Sequence, residues 1–129
     1  MYPVPPNART YARTESYLGP WLARQKRDTL VIASKVAGPG RRDWVRGGRT
    51  ELTRENITGA LDDSLKRLQT DYLDLYQIHW PGRNVPMFGT TRFDPAKETP
   101  VVPILEQIET MAGLMKAPRL QPSQARSQL

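Results

Sequence analysis

The regular spacing of apolar side chains is clearest over residues 53–69. Thr53 has a side chain suited to a helix N-cap, and charged residues fill much of the helical wheel. The positions predicted to face inward follow at intervals of three and four: Ile57, Ala60, Leu61, Ser64, Leu65 and Leu68. The pattern predicts an amphipathic helix that buries one face.

Two short runs of apolar and β-branched residues flank this helix. "DTLVIASKV" covers residues 28–36, and "YLDLYQIHWP" covers residues 72–81. The first is typical of a strand buried on both faces. In the second, alternation places two sets of side chains on opposite faces: Leu73, Leu75, Gln77 and His79 on one, and Asp74, Tyr76 and Ile78 on the other.

Two further helices are predicted, one near each end of the chain. The first starts with Thr14 as N-cap and carries Tyr17, Leu18, Trp21 and Leu22 at helical spacing. Gly19 and Pro20 are expected to kink or break it. The last has Thr99 as cap and Pro100 in its first turn, and carries Ile104, Leu105, Ile108, Met111 and Met115.

The predicted order is helix, strand, helix, strand, helix. Strands that alternate with helices favour an α/β fold with a parallel sheet. A parallel sheet is normally covered on both faces, and two strands bury little apolar surface. The pattern therefore indicates part of a larger α/β architecture.

Composition narrows the classes of function. The 129 residues suggest one domain, and 19 Lys and Arg against 13 Asp and Glu give a net charge of +6. Without cysteine and with one histidine, no metal site is expected. No apolar run approaches the ~18 residues of a membrane span, and the start has no signal-peptide core. We expect a soluble, cytoplasmic chain with no membrane contact.

The basic loop between the first strand and the central helix allows two interpretations. It contains Arg41, Arg42, Arg46 and Arg49. Such a cluster can bind an anion or a nucleic acid. A solvated loop is the commoner outcome, and no nucleic-acid motif is present, so no nucleic-acid partner is expected.

Both predicted strands end in a titratable side chain. Lys35 lies at the carboxyl end of the first strand and His79 at the carboxyl end of the second. In parallel α/β folds, ligands and catalytic groups lie at this end of the sheet. A lone histidine or a lone strand-end lysine is more often structural or solvated. Equivalent positions on two parallel strands make the pair a candidate site.

These residues carry a resemblance to the aldo-keto reductases, in particular their bacterial Tas-like members. "LVIASKV" resembles the family's third barrel strand with its catalytic lysine. "SLKRLQTDYLDLYQIHWP" is similar to the family signature that runs into the fourth strand with its catalytic histidine. "MYPVP" looks like the end of the second strand, where the catalytic tyrosine stands, and "TESYLGPWL" like the following helix. The resemblance covers roughly residues 1–116.

The resemblance implies a (β/α)8 TIM barrel that reduces aldehydes and ketones with NADPH. Tyr2 would be the general acid toward the carbonyl oxygen of a small substrate. Lys35 would lower the pKa of that tyrosine, because a nearby cation favours the phenolate. His79 would donate a hydrogen bond to the carbonyl. The catalytic residues implied are thus Tyr2, Lys35 and His79, and the cofactor-binding residues are not identified.

The chain departs from the family pattern at both ends. The family's catalytic aspartate precedes the tyrosine by five residues, a position that would lie before Met1. The likeness stops after Lys116, where a frameshift would produce such a break. We therefore predict a partial reductase domain over residues 1–116, with two parallel strands, three helices and no closed barrel. Residues 117–129 are predicted to be a divergent, disordered tail.

Three functional interpretations follow. The first is a truncated aldo-keto reductase that is inactive by itself, because two of eight strands cannot close a barrel. The second is a complementing half-barrel that assembles with another chain through its open strand edges. The third is a small basic module that binds an anion or nucleic acid through the arginine loop.

Overall fold

The computed structural model describes residues 7–40, 43–86 and 89–117. Three α-helices and two β-strands alternate along the chain, separated by short 3₁₀ turns. Their bounds are α1, Arg13–Leu22; β1, Ala33–Val36; α2, Arg54–Leu68; β2, Leu75–Ile78; and α3, Ile104–Lys116. The predicted α/β class, with two parallel strands, three helices and a sheet that is not closed, is confirmed.

The central helix α2 follows its sequence pattern closely. Thr53 caps it, and its side-chain oxygen accepts a hydrogen bond of 3.2 Å from the Asn56 backbone N–H. The helix ends at Gln69, whose left-handed backbone (φ 54°) closes the last turn. The six buried side chains are those of the predicted face: Ile57, Ala60, Leu61, Ser64, Leu65 and Leu68. Periodicity alone therefore identified the core side of this helix.

The two strands pair in parallel, with Ala33 opposite Leu75 and Lys35 opposite Gln77. Both are shorter than predicted. Burial on both faces is wrong for β1, since Ser34 is buried while Ala33 is exposed, and Val31 just before the strand is 68% exposed. Among the residues that the structure describes, no element covers that second face. The sheet is therefore solvated on one side.

Within β2 the predicted alternation is confirmed. Tyr76 is buried and Ile78 is half-buried on the helix side, whereas Leu75 and Gln77 are exposed. Before the strand begins, the alternation fails, because Leu73 is completely buried in the core. Register arguments hold only where the strand is paired.

A part-buried ion pair lies at the amino end of the sheet. Arg27 Nη2 lies 2.8 Å from Asp74 Oδ2, which also accepts the Ile32 backbone N–H at 2.8 Å. The guanidinium donates further to the backbone carbonyls of Leu30 and Tyr72, each at 2.9 Å. Arg27 thereby joins both strands through charge-assisted bonds.

Helix α1 differs from its prediction at both ends and on its buried face. It begins at Arg13 after Ala12, whose backbone is left-handed, and not with Thr14 as cap. The helix continues through Pro20 and ends at Leu22. Proline has no backbone N–H to donate, and the hydrogen bond lost in this way lies in the last turn, so the helix is not interrupted.

The buried residues of α1 are Glu15, Gly19 and Leu22. The predicted apolar side chains Tyr17 and Trp21 are largely exposed. Gly19 explains the choice of face, since a Cβ there would overlap the Arg67 carbonyl oxygen of α2. The close approach of the two helices needs the glycine.

Helix α3 starts later than predicted. Pro103 is the N-cap residue, immediately before the helix. A proline keeps the residue before it in an extended backbone, so the helix does not begin earlier. Thr99 and Pro100 precede the helix and do not form its first turn. The predicted apolar set is mostly not the buried one: Met111 packs against the core, but Ile104, Leu105, Ile108 and Met115 are exposed. The buried residues are Gln107, Thr110 and Leu114.

The core lies between α2 and the sheet, with contributions from α1 and α3. It is made largely of leucines, including Leu22, Leu61 and Leu73, each at most 2% exposed. Within the described ranges, no helix has the length and apolar character needed to cross a membrane. The core fixes α2 behind the strands and so positions their carboxyl ends.

Candidate functional site

Lys35 and His79 lie on the same face of the sheet, at its carboxyl end. Lys35 is opposite Gln77 in the strand register, and His79 comes two residues later. The His79 backbone N–H donates to the Val36 carbonyl at 2.9 Å, so the parallel ladder reaches the histidine. Both side chains border one cleft. Tyr2, the third residue implied by the resemblance, lies outside the described residues.

A tryptophan and a glycine form one wall of this cleft. The Trp80 indole N–H donates to the Pro39 carbonyl at 2.7 Å, and its ring packs edge-on against His79 at 4.8 Å. A Cβ on Gly38 would lie 2.7 Å from both Cδ1 and Nε1 of Trp80. The loop after β1 therefore needs glycine at this position to let the tryptophan pack beside the histidine.

A buried polar network lies behind β1, on the helix side. Ser34 donates to Glu15 Oε1 at 2.5 Å, and Arg67 Nε donates to Glu15 Oε2 at 2.8 Å. Arg67 also reaches the Ser64 hydroxyl at 3.3 Å. Because Glu15 joins α1, β1 and α2, it ties the strand that carries Lys35 to both helices.

Tyr76 is buried beside the same network, with 6% of its surface exposed. Its hydroxyl has no hydrogen-bond partner. Burial raises the pKa of Tyr76 well above its usual range, and the Arg46 charge opposes that rise. The hydroxyl therefore keeps its proton and remains a donor at neutral pH.

The arginine loop does not form one exposed basic stripe. Arg41 and Arg42 lie outside the described residues. Arg49 is exposed, whereas the Arg46 guanidinium turns inward, with its Nη2 atom buried and without a hydrogen-bond partner. Arg46 Nε donates to the Arg49 carbonyl at 3.1 Å, which holds the guanidinium in place.

The cleft has a volume of about 170 Å³. Its lining is mostly apolar, and five charged side chains contribute to it: Glu15, Lys35, Arg46, Asp63 and Arg67. Over the described ranges, no three His, Asp or Glu side chains converge as metal ligands. A larger surface hollow of about 750 Å³ lies between α1 and α2 and shares no residue with the cleft.

Sequence reasoning missed Glu15, Arg67 and Tyr76. A signal for Glu15 was present, since it lies four and seven residues before Gly19 and Leu22, the spacing of one helix face. The face predicted to be buried in α1 was defined by its apolar residues and did not include Glu15. No local signal indicates that Arg67 would meet Glu15, because 52 residues separate them.

Comparison with known proteins identifies relatives over most of the chain. The pattern that defines the "Aldo/keto reductase family" matches residues 7–117. "Protein tas" of Escherichia coli (strain K12) is 47% identical over 123 residues, which cover 93% of this chain and 35% of that protein. The aldo-keto reductase YhdN of Bacillus subtilis (strain 168) is 36% identical over 96 residues, covering 74% of this chain and 23% of its own.

A solved structure shares the arrangement of these elements. The thermostable aldo-keto reductase Tm1743 superposes with a TM-score of 0.53 at 32% identity, covering 79% of this chain and 27% of its own. This chain spans about one third of the length of the tas protein that it matches.

Proposed function

The chain belongs to the aldo/keto reductase family, and we propose that Lys35 and His79 are two members of a carbonyl-reducing site that these 129 residues do not complete. The observation that supports this most directly is their placement. They end two paired parallel strands, share one face and border one cleft. Two of the three positions that the family resemblance implies to be catalytic thus border the end of the sheet where α/β enzymes carry their chemistry, which supports the proposal.

Each side chain has a defined chemical task in this proposal. His79 donates a hydrogen bond to the oxygen of a small aldehyde or ketone, which orients the carbonyl. The Lys35 ammonium stabilises the phenolate of a neighbouring tyrosine, which lowers the pKa of that tyrosine. Tyr2 supplies that phenol and gives its proton to the carbonyl oxygen. An ordinary tyrosine, with a pKa near ~10, needs such help to act near neutral pH.

The family uses a nicotinamide cofactor, and we propose NADPH, which supplies a hydride when bound. The described residues do not fit it. The cleft of about 170 Å³ is smaller than the roughly 300–1,000 Å³ typical of pockets for drug-sized ligands, and a dinucleotide is larger than most such ligands. We therefore expect this chain by itself to lack carbonyl reduction, although it contains the three residues that the family resemblance implies to be catalytic.

The test follows NADPH consumption by the purified 129-residue chain with a panel of aldehydes and ketones. We expect no turnover above that of the matched Lys35→Met chain. A second arm supplies the remaining barrel strands from the relative in Escherichia coli, as a fusion or a co-expressed chain. Activity should then appear and should fall by several orders of magnitude in Lys35→Met and His79→Gln.

Two results would contradict the proposal in different ways. Turnover by the chain alone, abolished in Lys35→Met, would show that the site is complete without further strands. A completed barrel whose activity ignores both substitutions would remove Lys35 and His79 from the site. The Lys66→Met variant, which changes an exposed lysine on α2, controls for the loss of charge.

A second candidate role is that of a complementing half-barrel. The exposed sheet face supports it, since Val31 is 68% and Leu75 46% exposed beside the open strand edges. A partner chain with parallel strands would cover that face and pair those edges. Co-purification with the remaining barrel strands, lost in a Leu75→Lys chain and kept in Gln25→Lys, at an exposed glutamine outside the sheet, would support it. Equal binding by both variants would contradict it.

Two remaining expectations stay predictions. Residues 117–129 are predicted to be a disordered tail, and all but Ala117 lie outside the described residues. A cytoplasmic location is also proposed, on the basis of the soluble character inferred from composition. The nucleic-acid alternative receives little support from the inward position of Arg46.

A further inference from the structure

We propose that α3 pairs with α3 of a second copy of this chain through a stripe of apolar side chains along its surface. The stripe comprises Ile104, Ile108, Met111 and Met115. Three of the four side chains are largely exposed: Ile104 by 67%, Ile108 by 57% and Met115 by 63%. The proposal does not depend on carbonyl reduction or on the cleft at the carboxyl ends of the strands.

The buried and exposed sides of α3 are the reverse of those in an ordinary surface helix. Its buried residues are Gln107, Thr110 and Leu114, and two of the three are polar. The Gln107 amide N–H donates to the Val102 carbonyl at 2.8 Å, and the Thr110 hydroxyl donates to the Glu106 carbonyl at 2.7 Å. The apolar stripe lies beside this polar face and meets solvent. A continuous apolar face of this kind marks an interaction surface.

The spacing of the stripe indicates a second copy as the partner. The intervals between its residues are four, three and four, which is the a and d spacing of a heptad repeat. The intervals are the same when read from either end, so an antiparallel α3 presents matching positions. In such a two-fold pair, Ile104 lies opposite Met115 of the second copy, and Ile108 lies opposite Met111 of the second copy. One surface patch then supplies both halves of the interface.

Charge favours the antiparallel direction. Glu106 and Glu109 lie in the first half of α3, and Lys116 is its last residue. An antiparallel pair brings the basic end of each helix toward the acidic half of the other and opposes the two helix dipoles. A parallel pair would bring like charges together, which is unfavourable.

The length of the stripe sets the expected affinity. It spans about two heptads, fewer than the roughly three to four over which a coiled coil is recognised. We therefore expect a weak dimer, with a Kd of about 0.1 mM.

The test is sedimentation equilibrium of the full 129-residue chain at concentrations on both sides of that Kd, with circular dichroism to check that each variant keeps its helices. Ile108→Glu places a charge at two symmetry-related sites near the centre of the interface and should raise the Kd at least about tenfold. Gly113→Glu is the matched control, since it adds the same charge to α3 at an exposed position with open space around it. It should leave the Kd nearly unchanged.

Cross-linking tests the direction of the pair. The natural chain has no cysteine, so Ile104→Cys and Met115→Cys each introduce a single thiol. The two positions lie about 16 Å apart along one helix, whereas a disulfide needs Cα atoms within about 7 Å. When the two variants are mixed and oxidised, the antiparallel pair predicts the mixed disulfide in preference to either homodimer.

Four outcomes would overturn the proposal. The first is a chain that stays monomeric, and burial of the stripe only when the remaining barrel strands are supplied would assign those strands as its occupant. The second is dimerisation that is lost in Val31→Glu, on the exposed sheet face, and kept in Ile108→Glu. The third is an equal rise of the Kd in Ile108→Glu and Gly113→Glu, which would reduce the effect to net charge. The fourth is a preference for disulfide homodimers, which would show a parallel pair.

Discussion

The polar side chains at the two ends of the two-stranded sheet have different surroundings. At the amino end, Arg27 binds Asp74 Oδ2 and the neighbouring backbone through a set of short bonds, while the second carboxylate oxygen, Asp74 Oδ1, is buried without a partner. At the carboxyl end, Lys35 and His79 border a cleft, and Arg46 Nη2 has no acceptor. One end is dominated by an ion pair, and the other opens onto a cleft with charged side chains in its lining.

This contrast has a physical basis in parallel sheets. All strands run in one direction, so loops that leave their carboxyl ends gather on one side and can bring polar groups together. The amino end has no such task, and there the Arg27 guanidinium is engaged by Asp74 and by two backbone carbonyls. The same short sheet therefore divides into a structural end and a candidate chemical end.

The strongest test of the structural end is Asp74→Ala. The substitution leaves the Arg27 guanidinium, 16% exposed in its side chain, without its carboxylate. We expect a loss of about 3 kcal/mol. The measurement is hydrogen exchange of the Leu75 amide, which donates to the Ile32 carbonyl. Lys97→Ala breaks an exposed ion pair with Asp94 of 3.5 Å. It should change the free energy of opening at Leu75 by less than about 0.5 kcal/mol. Equal effects of the two substitutions would show that the Arg27–Asp74 ion pair is no stronger than an exposed one.

Gly38→Ala tests whether the carboxyl end depends on close packing. The added Cβ meets the Trp80 backbone and ring, so the tryptophan must move and its bond to Pro39 is strained. We expect a cost of about 2 kcal/mol, read from hydrogen exchange of the His79 amide and from the Trp80 indole signal. Gly40→Ala is the matched control, because its nearest atom would lie at an ordinary 3.8 Å. Equal responses would contradict the packing explanation.

The smallest effect is expected for Tyr76→Phe, and it depends on pH. The hydroxyl has no partner, so stability at neutral pH should change by less than about 0.5 kcal/mol. The folded-state pKa is raised above the ordinary 10.0. Above that pH the unfolded chain loses the proton and the folded chain keeps it, so the natural chain loses stability as pH rises.

Tyr76→Phe lacks this loss and should gain relative stability of about 1.4 kcal/mol per pH unit above the ordinary pKa. The measurement is the difference in denaturant midpoint between the two chains from neutral to alkaline pH. Tyr17→Phe, at a largely exposed tyrosine, is the control and should show no such difference. A flat difference for Tyr76→Phe would mean that the hydroxyl is not held protonated.

Local pattern predicted some elements well and others poorly, for a physical reason. Helix α2 packs against the sheet and both other helices, so its apolar stripe is its buried face. Helix α3 has an equally clear stripe that stays exposed, with Ile104 67% exposed. A stripe shows which side can be buried, and only a neighbouring element decides whether it is.

The sequence by itself determined the helix cap at Thr53, the inward face of α2 and the placement of Lys35 and His79 at equivalent strand ends. These features depend on residues within a few positions of one another or on the period of a single element. Tertiary structure alone decided that α1 turns Glu15 inward to meet Arg67, and that Arg27 pairs with Asp74. Such contacts join residues 47 or 52 positions apart, and their geometry depends on packing that no local period encodes.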